Sequence, residues 1–223
     1  MRTLVFIPAK AASQRIPRKN FRLINGKSPI DRTIETALGF SKKSDIYVSS
    51  DEQSIRENIL NLGVNFISRD PSLSEPSVTN LDVIKKHISD GALPLKDYET
   101  VMLLQPTTPF RDARGLLTLK EKFYANPKPD SVVTVVEKRR PYATAQERSG
   151  KIQPLLSVTE SKMQKNYEIT GHAYLISSEI LINGNSLLGN NIDFISLPDN
   201  WPEIDLDNAR DWALAKAYAK YYD

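Results

Sequence analysis

The chain has 223 residues, 40% of them hydrophobic, with 30 basic and 27 acidic side chains for a net charge of +3. That length suits one α/β domain, and so small a charge excess gives no reason to expect nucleic acid as a partner. The absence of cysteine excludes disulfides, thiolate zinc sites and cysteine nucleophiles, and fits a reducing cytoplasm.

In chain order, Thr3–Ile7 ("TLVFI") is short, apolar and β-branched, and reads as a buried strand. It is too short for a signal peptide or a membrane span, so no membrane association is expected. A basic loop follows, "IPAKAASQRIPRKN". Ser28-Pro29 reads as an N-cap with proline in the first turn, opening a helix to about Phe40 with Ile30, Ile34, Ala37 and Leu38 on one face. Asp45–Ser49 is the next strand, and Glu52–Leu62 a helix stopped by Gly63. Val64–Ile67 is a strand, Leu81–Ile88 a helix, Thr100–Leu104 a strand, Asp112–Tyr124 a helix and Ser131–Val136 a strand. From Glu137 to Thr170 the pattern turns polar, basic and weakly periodic, which reads as an excursion from the sheet. His172–Ile176 and Asp193–Leu197 are strands, and Asn208–Tyr222 is a closing helix.

Strands alternating with helices predict an α/β fold over residues 1–223. It has three layers, with a mostly parallel sheet flanked by helices and an excursion at about 137–170. Ligands of such sheets bind beyond the carboxyl ends of the strands. The basic loop, "SSDE" at Ser49–Glu52, "SRDP" at Ser68–Pro71 and "QPTTP" at Gln105–Pro109 all lie at such ends.

The basic loop holds Lys10, Arg15, Arg18 and Lys19 among alanines and a serine. Small side chains let a ligand approach the backbone, and the cations suit phosphate oxygens, although a solvated basic loop has the same composition. It is neither a Walker motif nor a dinucleotide fingerprint, since it lacks glycine. Arg18 adjoins Pro17 and is expected to face solvent. Gln105 carries both donors and acceptors and suits a nucleobase edge. Asp205 and Asp207 fall two apart in an extended segment. They therefore face one side, with Leu206 turned inward, and make a hard-cation site for Mg2+. The plainer reading is that Asp207 or Asn208 caps the last helix. Thr79 and Asn80 likewise read as a helix cap.

The opening stretch resembles the N-terminal signature of the sugar-activating cytidylyltransferases. That family comprises the CMP-sialic acid synthetases and their relatives for legionaminic, pseudaminic and KDO-type acids. The resemblance continues through "LLQPTTPFR" at Leu103–Arg111 and "DLDNARDWALA" at Asp205–Ala215. It implies CTP-dependent transfer of CMP to the anomeric hydroxyl of a 2-keto-3-deoxy sugar acid, with release of pyrophosphate.

The resemblance also assigns roles. Lys10 meets the triphosphate, Ser13 lies in the same turn, Lys19 contacts phosphate during transfer, and Asn20 helps hold the nucleotide. Gln14-Arg15 stand where the sialic-type pattern has lysine-glycine, so Arg15 carries the missing charge. Arg69, Thr79 and Asn80 fall near base and ribose, and Gln105 joins them as nucleotide-binding. Thr107, Gln164, Gly171 and His172 belong to the sugar pocket. Glu168 and Thr170 replace the family's arginine and asparagine there, which leaves the identity of the acid open. Asp205 and Asp207 are the magnesium ligands and act with Lys19 in catalysis, while Asp211 is structural. The excursion implies a homodimer in which Arg139, Arg140, Lys162 or Lys165 reach the partner's sugar carboxylate. A nucleotide-sugar glycosyltransferase, with its own Asp-x-Asp metal site, is the rival reading among enzymes. A non-catalytic nucleotide-binding protein is the rival outside catalysis.

Overall fold

The structure is a computed structural model. It describes residues 2–125, 127–138, 145–148, 151–154 and 166–222, with backbone alone at 145–148 and 151–154. Nine strands are described: β1 (Thr3–Pro8), β2 (Ile46–Ser50), β3 (Asn65–Ser68), β4 (Thr100–Leu103), β5 (Ser131–Lys138), β6 (Ala145–Arg148), β7 (Lys151–Pro154), β8 (Asn166–Ser177) and β9 (Ile192–Ser196). The helices are α1 (Pro29–Leu38), α2 (Arg56–Asn61), α3 (Asn80–Ser89), α4 (Ala113–Phe123), α5 (Ser178–Asn183) and α6 (Ala209–Tyr222).

Seven strands form one sheet in the order β3-β2-β1-β4-β8-β5-β9. The β1–β2, β1–β4, β2–β3 and β5–β9 pairs are parallel. β8 runs antiparallel to both β4 and β5. Strand alternation sends β1 side chains to both faces. Val5 and Ile7 pack with Ile30 and Ile34 of α1 and Leu116 and Leu119 of α4. Leu4 and Phe6 pack with Val83 and Ile84 of α3 and Leu181 of α5. The three layers expected from the sequence are therefore present. A third cluster lies off the sheet, where α6 gathers Ile16 of the basic loop, Phe110 and Leu206 around Trp212 and Ala215. One apolar contact set thus joins three loops that are far apart in sequence.

Three elements differ most from the sequence reading. β5 continues to Lys138 and β8 begins at Asn166, so the chain leaves the sheet later and returns earlier than Glu137 and Thr170. The polar sequence "NYEIT" extends as strand because main-chain pairing with β5 holds it, with Tyr167 opposite Glu137 and Ile169 opposite Val135. The expected helix at Glu52–Leu62 is split into a 3-10 turn at Gln53–Ile55 and the shorter α2. Gly63, at φ +78°, ends it as expected.

Candidate active site

The basic loop leaves β1 at Pro8 and crosses the carboxyl ends of β1 and β2. Its cations have different surroundings. The Lys10 ammonium is 3.4 Å from the Ser74 carbonyl. Partial burial and the nearby Arg69 and Lys19 charges hold its pKa below the usual lysine value, against the opposing pull of Asp51. Lys19 donates to the Leu206 carbonyl at 2.7 Å and to Asp207 Oδ1 at 3.3 Å. Arg15 meets the same Asp207 oxygen at 3.1 Å. Arg18 was expected to face solvent. Its side chain is 62% exposed, but it pairs with Glu52 at 2.8 Å from a left-handed backbone at φ +54°. Buried Asn20 donates to the Lys10 carbonyl at 2.9 Å.

Two adjoining cavities share Lys10 and Lys19. The larger, about 620 Å³, runs past Ser13, Arg15, Asp51 and Ser74. The smaller, about 210 Å³, is lined by Asn20, Arg69, Asn80, Gln105, Thr107 and the two aspartates Asp205 and Asp207. Arg69 is buried, and its guanidinium donates to the Leu73 carbonyl. Burial lowers its pKa, again opposed by Asp51. Among the described residues, neither Lys10 nor Arg69 makes an ion pair. Such cations draw anions from solution.

The aspartate segment behaves as its two-residue spacing predicts. Leu206 is fully buried, and its neighbours on either side both line the smaller cavity. The Leu206 amide donates to the Thr107 carbonyl at 2.8 Å, and the Thr107 hydroxyl lies near enough to Asp205 to favour its charged form. Surrounding protein raises the Asp205 pKa, and the like charges of Asp207 and Asp211 add to the rise. Asp211 accepts from the amides of Asp207 and Asn208 at 2.9 Å each, which is the structural role expected of it.

Whether these residues fit Mg2+ follows from their chemistry. The donors are all carboxylate oxygens on one side of an extended segment. Asp205 is held next to a like charge, with no basic side chain bonded to it among the described residues. Among the described residues, no group of three or more acidic, histidine or cysteine side chains surrounds the point. That composition fits Mg2+, which takes one or two carboxylates and completes its shell with phosphate oxygens and water.

Gln105 lines the smaller cavity together with the base and ribose candidates Arg69 and Asn80, and it also borders Gly171 of the sugar set. A Cβ on Gly171 would lie 3.6 Å from Gln105 Nε2 and 3.7 Å from Asp205 Oδ2, and Gln105 lies close to Tyr174 of β8. Gly171 thus opens the space between Gln105 and Asp205. His172 does not reach that space, contrary to expectation. Strand alternation turns it away from Gly171. It is buried, its Nε2 lies 3.0 Å from the Pro202 carbonyl, and its ring stacks on Trp201 at 5.9 Å. Burial, with the nearby Arg111 charge, pushes its pKa down to about 4. Thr79 takes the capping role also read from the sequence. Its hydroxyl is spent in a capping box with Asp82 at the start of α3, while its neighbour Asn80 lines the cavity. Gln164 and the excursion cations Arg139, Arg140, Lys162 and Lys165 lie outside the described residues.

Sequence reasoning gave Arg111 no definite role. It is fully buried, and its guanidinium donates to Thr108 Oγ1, the His172 carbonyl, Thr33 Oγ1 and the Gln105 carbonyl at 2.6–3.0 Å. Burial brings its pKa down to about 9. It ties the "QPTTP" loop to β8 and α1, so it fixes where Gln105 and Thr107 stand. A charged residue closing a proline-rich turn was the available signal.

A sequence profile of the cytidylyltransferases matches residues 4–175. The chain belongs to the cytidylyltransferase family. Similar members include an N-acylneuraminate cytidylyltransferase of Streptococcus agalactiae, 34% identical over 139 residues. That match covers 61% of this chain and 32% of the streptococcal protein, so it spans about a third of that relative's length. A CMP-N,N'-diacetyllegionaminic acid synthase of Legionella pneumophila is 28% identical over 225 residues, covering 97% of this chain and 95% of that one. A pseudaminic acid cytidylyltransferase of Campylobacter jejuni is 34% identical over 128 residues, 56% and 55% of the two chains. In fold, this cytidylyltransferase superposes on a CMP:2-keto-3-deoxy-manno-octonic acid synthetase solved with CTP. The TM-score is 0.73 at 16% identity, with 99% of both chains covered. No described helix of this family member is long and apolar enough to cross a membrane.

Proposed function

We propose that this protein transfers CMP from CTP to the anomeric hydroxyl of a 2-keto-3-deoxy sugar acid of the sialic type and releases pyrophosphate. The observation that carries the reading is the cleft itself. Lys10 and Arg69, which make no ion pair among the described residues, face a cavity whose other wall holds two carboxylates in the donor pattern of Mg2+. The activities of the relatives named above agree in class.

In this mechanism Lys10 and Arg69 bind the nucleotide polyphosphate, while Ser13 and Arg15 line its path. Lys19 lies against the aspartate segment, where it meets the phosphate under attack and offsets charge gathering on its oxygens. Gln105, Thr107 and the open Gly171 position the acid so that its hydroxyl points at the α-phosphorus. Mg2+ bound by Asp205 and Asp207 would supply neutralisation of phosphate charge and would lower the pKa of an attacking hydroxyl. No side chain acts as nucleophile. The reading puts the enzyme in the cytoplasm, serving cell-surface polysaccharide synthesis, with neither nucleic acid nor membrane as a partner.

The reading includes a homodimer. Tyr167, Ile169 and Phe194 are 40%, 45% and 40% exposed, with the Tyr167 and Phe194 rings 4.9 Å apart. This apolar patch at the root of the excursion supports a docked second copy. Pyrophosphate release from CTP, assayed with a panel of keto-sugar acids, tests the activity. Release dependent on one acid supports it. Release with no acid requirement, or none with any, sinks it and favours the glycosyltransferase or non-catalytic readings. Sedimentation at micromolar concentration tests the dimer, which a fully active monomer would exclude.

A further inference from the structure

The segment Ser49–Glu52 ends β2 and has no role in the mechanism above, yet it grips the basic loop along most of its length. The Ser49 carbonyl accepts from the Ala9 amide at 2.8 Å. Ser50 Oγ donates to the Ala9 carbonyl at 2.7 Å and accepts from the Glu52 amide at 3.0 Å. Asp51 Oδ1 accepts from the Ala11 amide at 2.7 Å, and Glu52 pairs with Arg18 at 2.8 Å.

These contacts matter because the loop cannot fix its own path. Ala9, Ala11, Ala12 and Ser13 offer almost no side chain to pack. The backbone on either side of Lys10 is instead held from outside, by Asp51 at Ala11 and by Ser49 and Ser50 at Ala9. Asn20 takes the Lys10 carbonyl itself. The direction in which Lys10 leaves the loop therefore depends on this clamp. Asp51 also lines the larger cavity beside the loop, where its charge bears on Lys10 and Arg69 together.

We propose that Asp51 is a positioning residue with two separable effects: its Oδ1 fixes the loop through the Ala11 amide, and its negative charge weakens the hold of Lys10 and Arg69 on polyphosphate, so that pyrophosphate leaves. The inference rests on the CTP reading of the cleft. A fixed carboxylate beside two cations opposes anion binding, while a misdirected Lys10 spoils alignment.

Two variants separate the effects. Asn in Asp51→Asn keeps an oxygen for the Ala11 amide and loses the charge, whereas Asp51→Ala loses both. Amide exchange followed by NMR on the free protein should show Ala11 exchanging at least about tenfold faster in Asp51→Ala and near the parent rate in Asp51→Asn. Calorimetry with pyrophosphate should show binding at least about threefold tighter in Asp51→Asn, the scale of one screened charge pair. In turnover, Asp51→Ala should lose about tenfold or more in kcat, and Asp51→Asn should recover most of that loss while KM for CTP falls. Unchanged Ala11 exchange in Asp51→Ala overturns the proposal. So does pyrophosphate binding no tighter in Asp51→Asn, including no binding in either protein. Exchange and calorimetry need no turnover. If both behave as stated while the parent releases no pyrophosphate from CTP, the activity reading fails and the positioning role stands.

Discussion

Gly171→Ala separates the proposed pocket from the fold in a single methyl group. The added Cβ would lie 3.3 Å from Thr108 Cγ2, 3.6 Å from Gln105 Nε2 and 3.7 Å from Asp205 Oδ2. Only the first contact is tight, and it is to the methyl of buried Thr108. Replacing glycine in a strand interior gains roughly 0.5–1 kcal/mol of conformational entropy. A single contact that a shift of a few tenths of an ångström relieves costs about 1 kcal/mol, the low end of the 1–3 kcal/mol of overpacking. The two nearly cancel, so stability should stay within about 1 kcal/mol, or about 2–4 °C in Tm for a chain of this size. The methyl nevertheless fills the space between Gln105 and Asp205 where the acid is argued to lie. KM for the sugar acid should rise by roughly tenfold or more, while KM for CTP changes little. The assay is initial-rate kinetics with each substrate varied in turn, alongside thermal melts. An unchanged KM for the acid, or a rise confined to CTP, would refute the placement of the acid beside Gly171.

Gly115→Ala should behave in the opposite way: the new Cβ would collide with the Trp201 ring, so melts should show a loss of about 1–3 kcal/mol despite alanine's better helix propensity. Lys19→Ala should lower kcat by roughly a hundredfold with a small change in Tm, because its contact is argued to strengthen in the transition state; a pure KM effect would reassign it to ground-state binding. His172 is buried neutral with its pKa pushed down to about 4, so the unfolded chain binds the extra proton first. Stability should therefore fall as pH drops from about 6.5 towards 4, by up to about 3 kcal/mol from this group, and melts of His172→Gln should show a shallower loss over that window; parallel curves would contradict the assignment.

The elements that could be read from sequence were those whose local chemistry agrees with the final packing. Ser28 and Asp31 form the capping box in front of α1, and "TLVFI" became a strand buried on both faces. Leu206 and its flanking aspartates followed from two-residue alternation alone. β8 was underestimated, because Tyr167 to Ile169 are exposed side chains on a strand held by pairing rather than burial, which apolar periodicity does not register. His172 drew a sugar role from its neighbour Gly171, yet alternation sends the two to opposite sides and Trp201 closes over the histidine. Thr79 could satisfy both a cap and a ligand on paper, and the cap took its hydroxyl. Asp51 was visible only as part of a strand end. Its hold on Ala11 spans 40 positions, and no local pattern reports a contact of that range.

Phosphorus NMR of CTP incubated with the favoured keto-sugar acid tests the central claim most directly. With Mg2+ present, the account predicts a phosphodiester signal and pyrophosphate appearing in equal amounts as CTP disappears. Asp205→Asn should abolish both while its Tm stays close to that of the parent, since Asp205 is an exposed residue outside the core. Pyrophosphate or phosphate formed without the phosphodiester, or full transfer by Asp205→Asn, would contradict it.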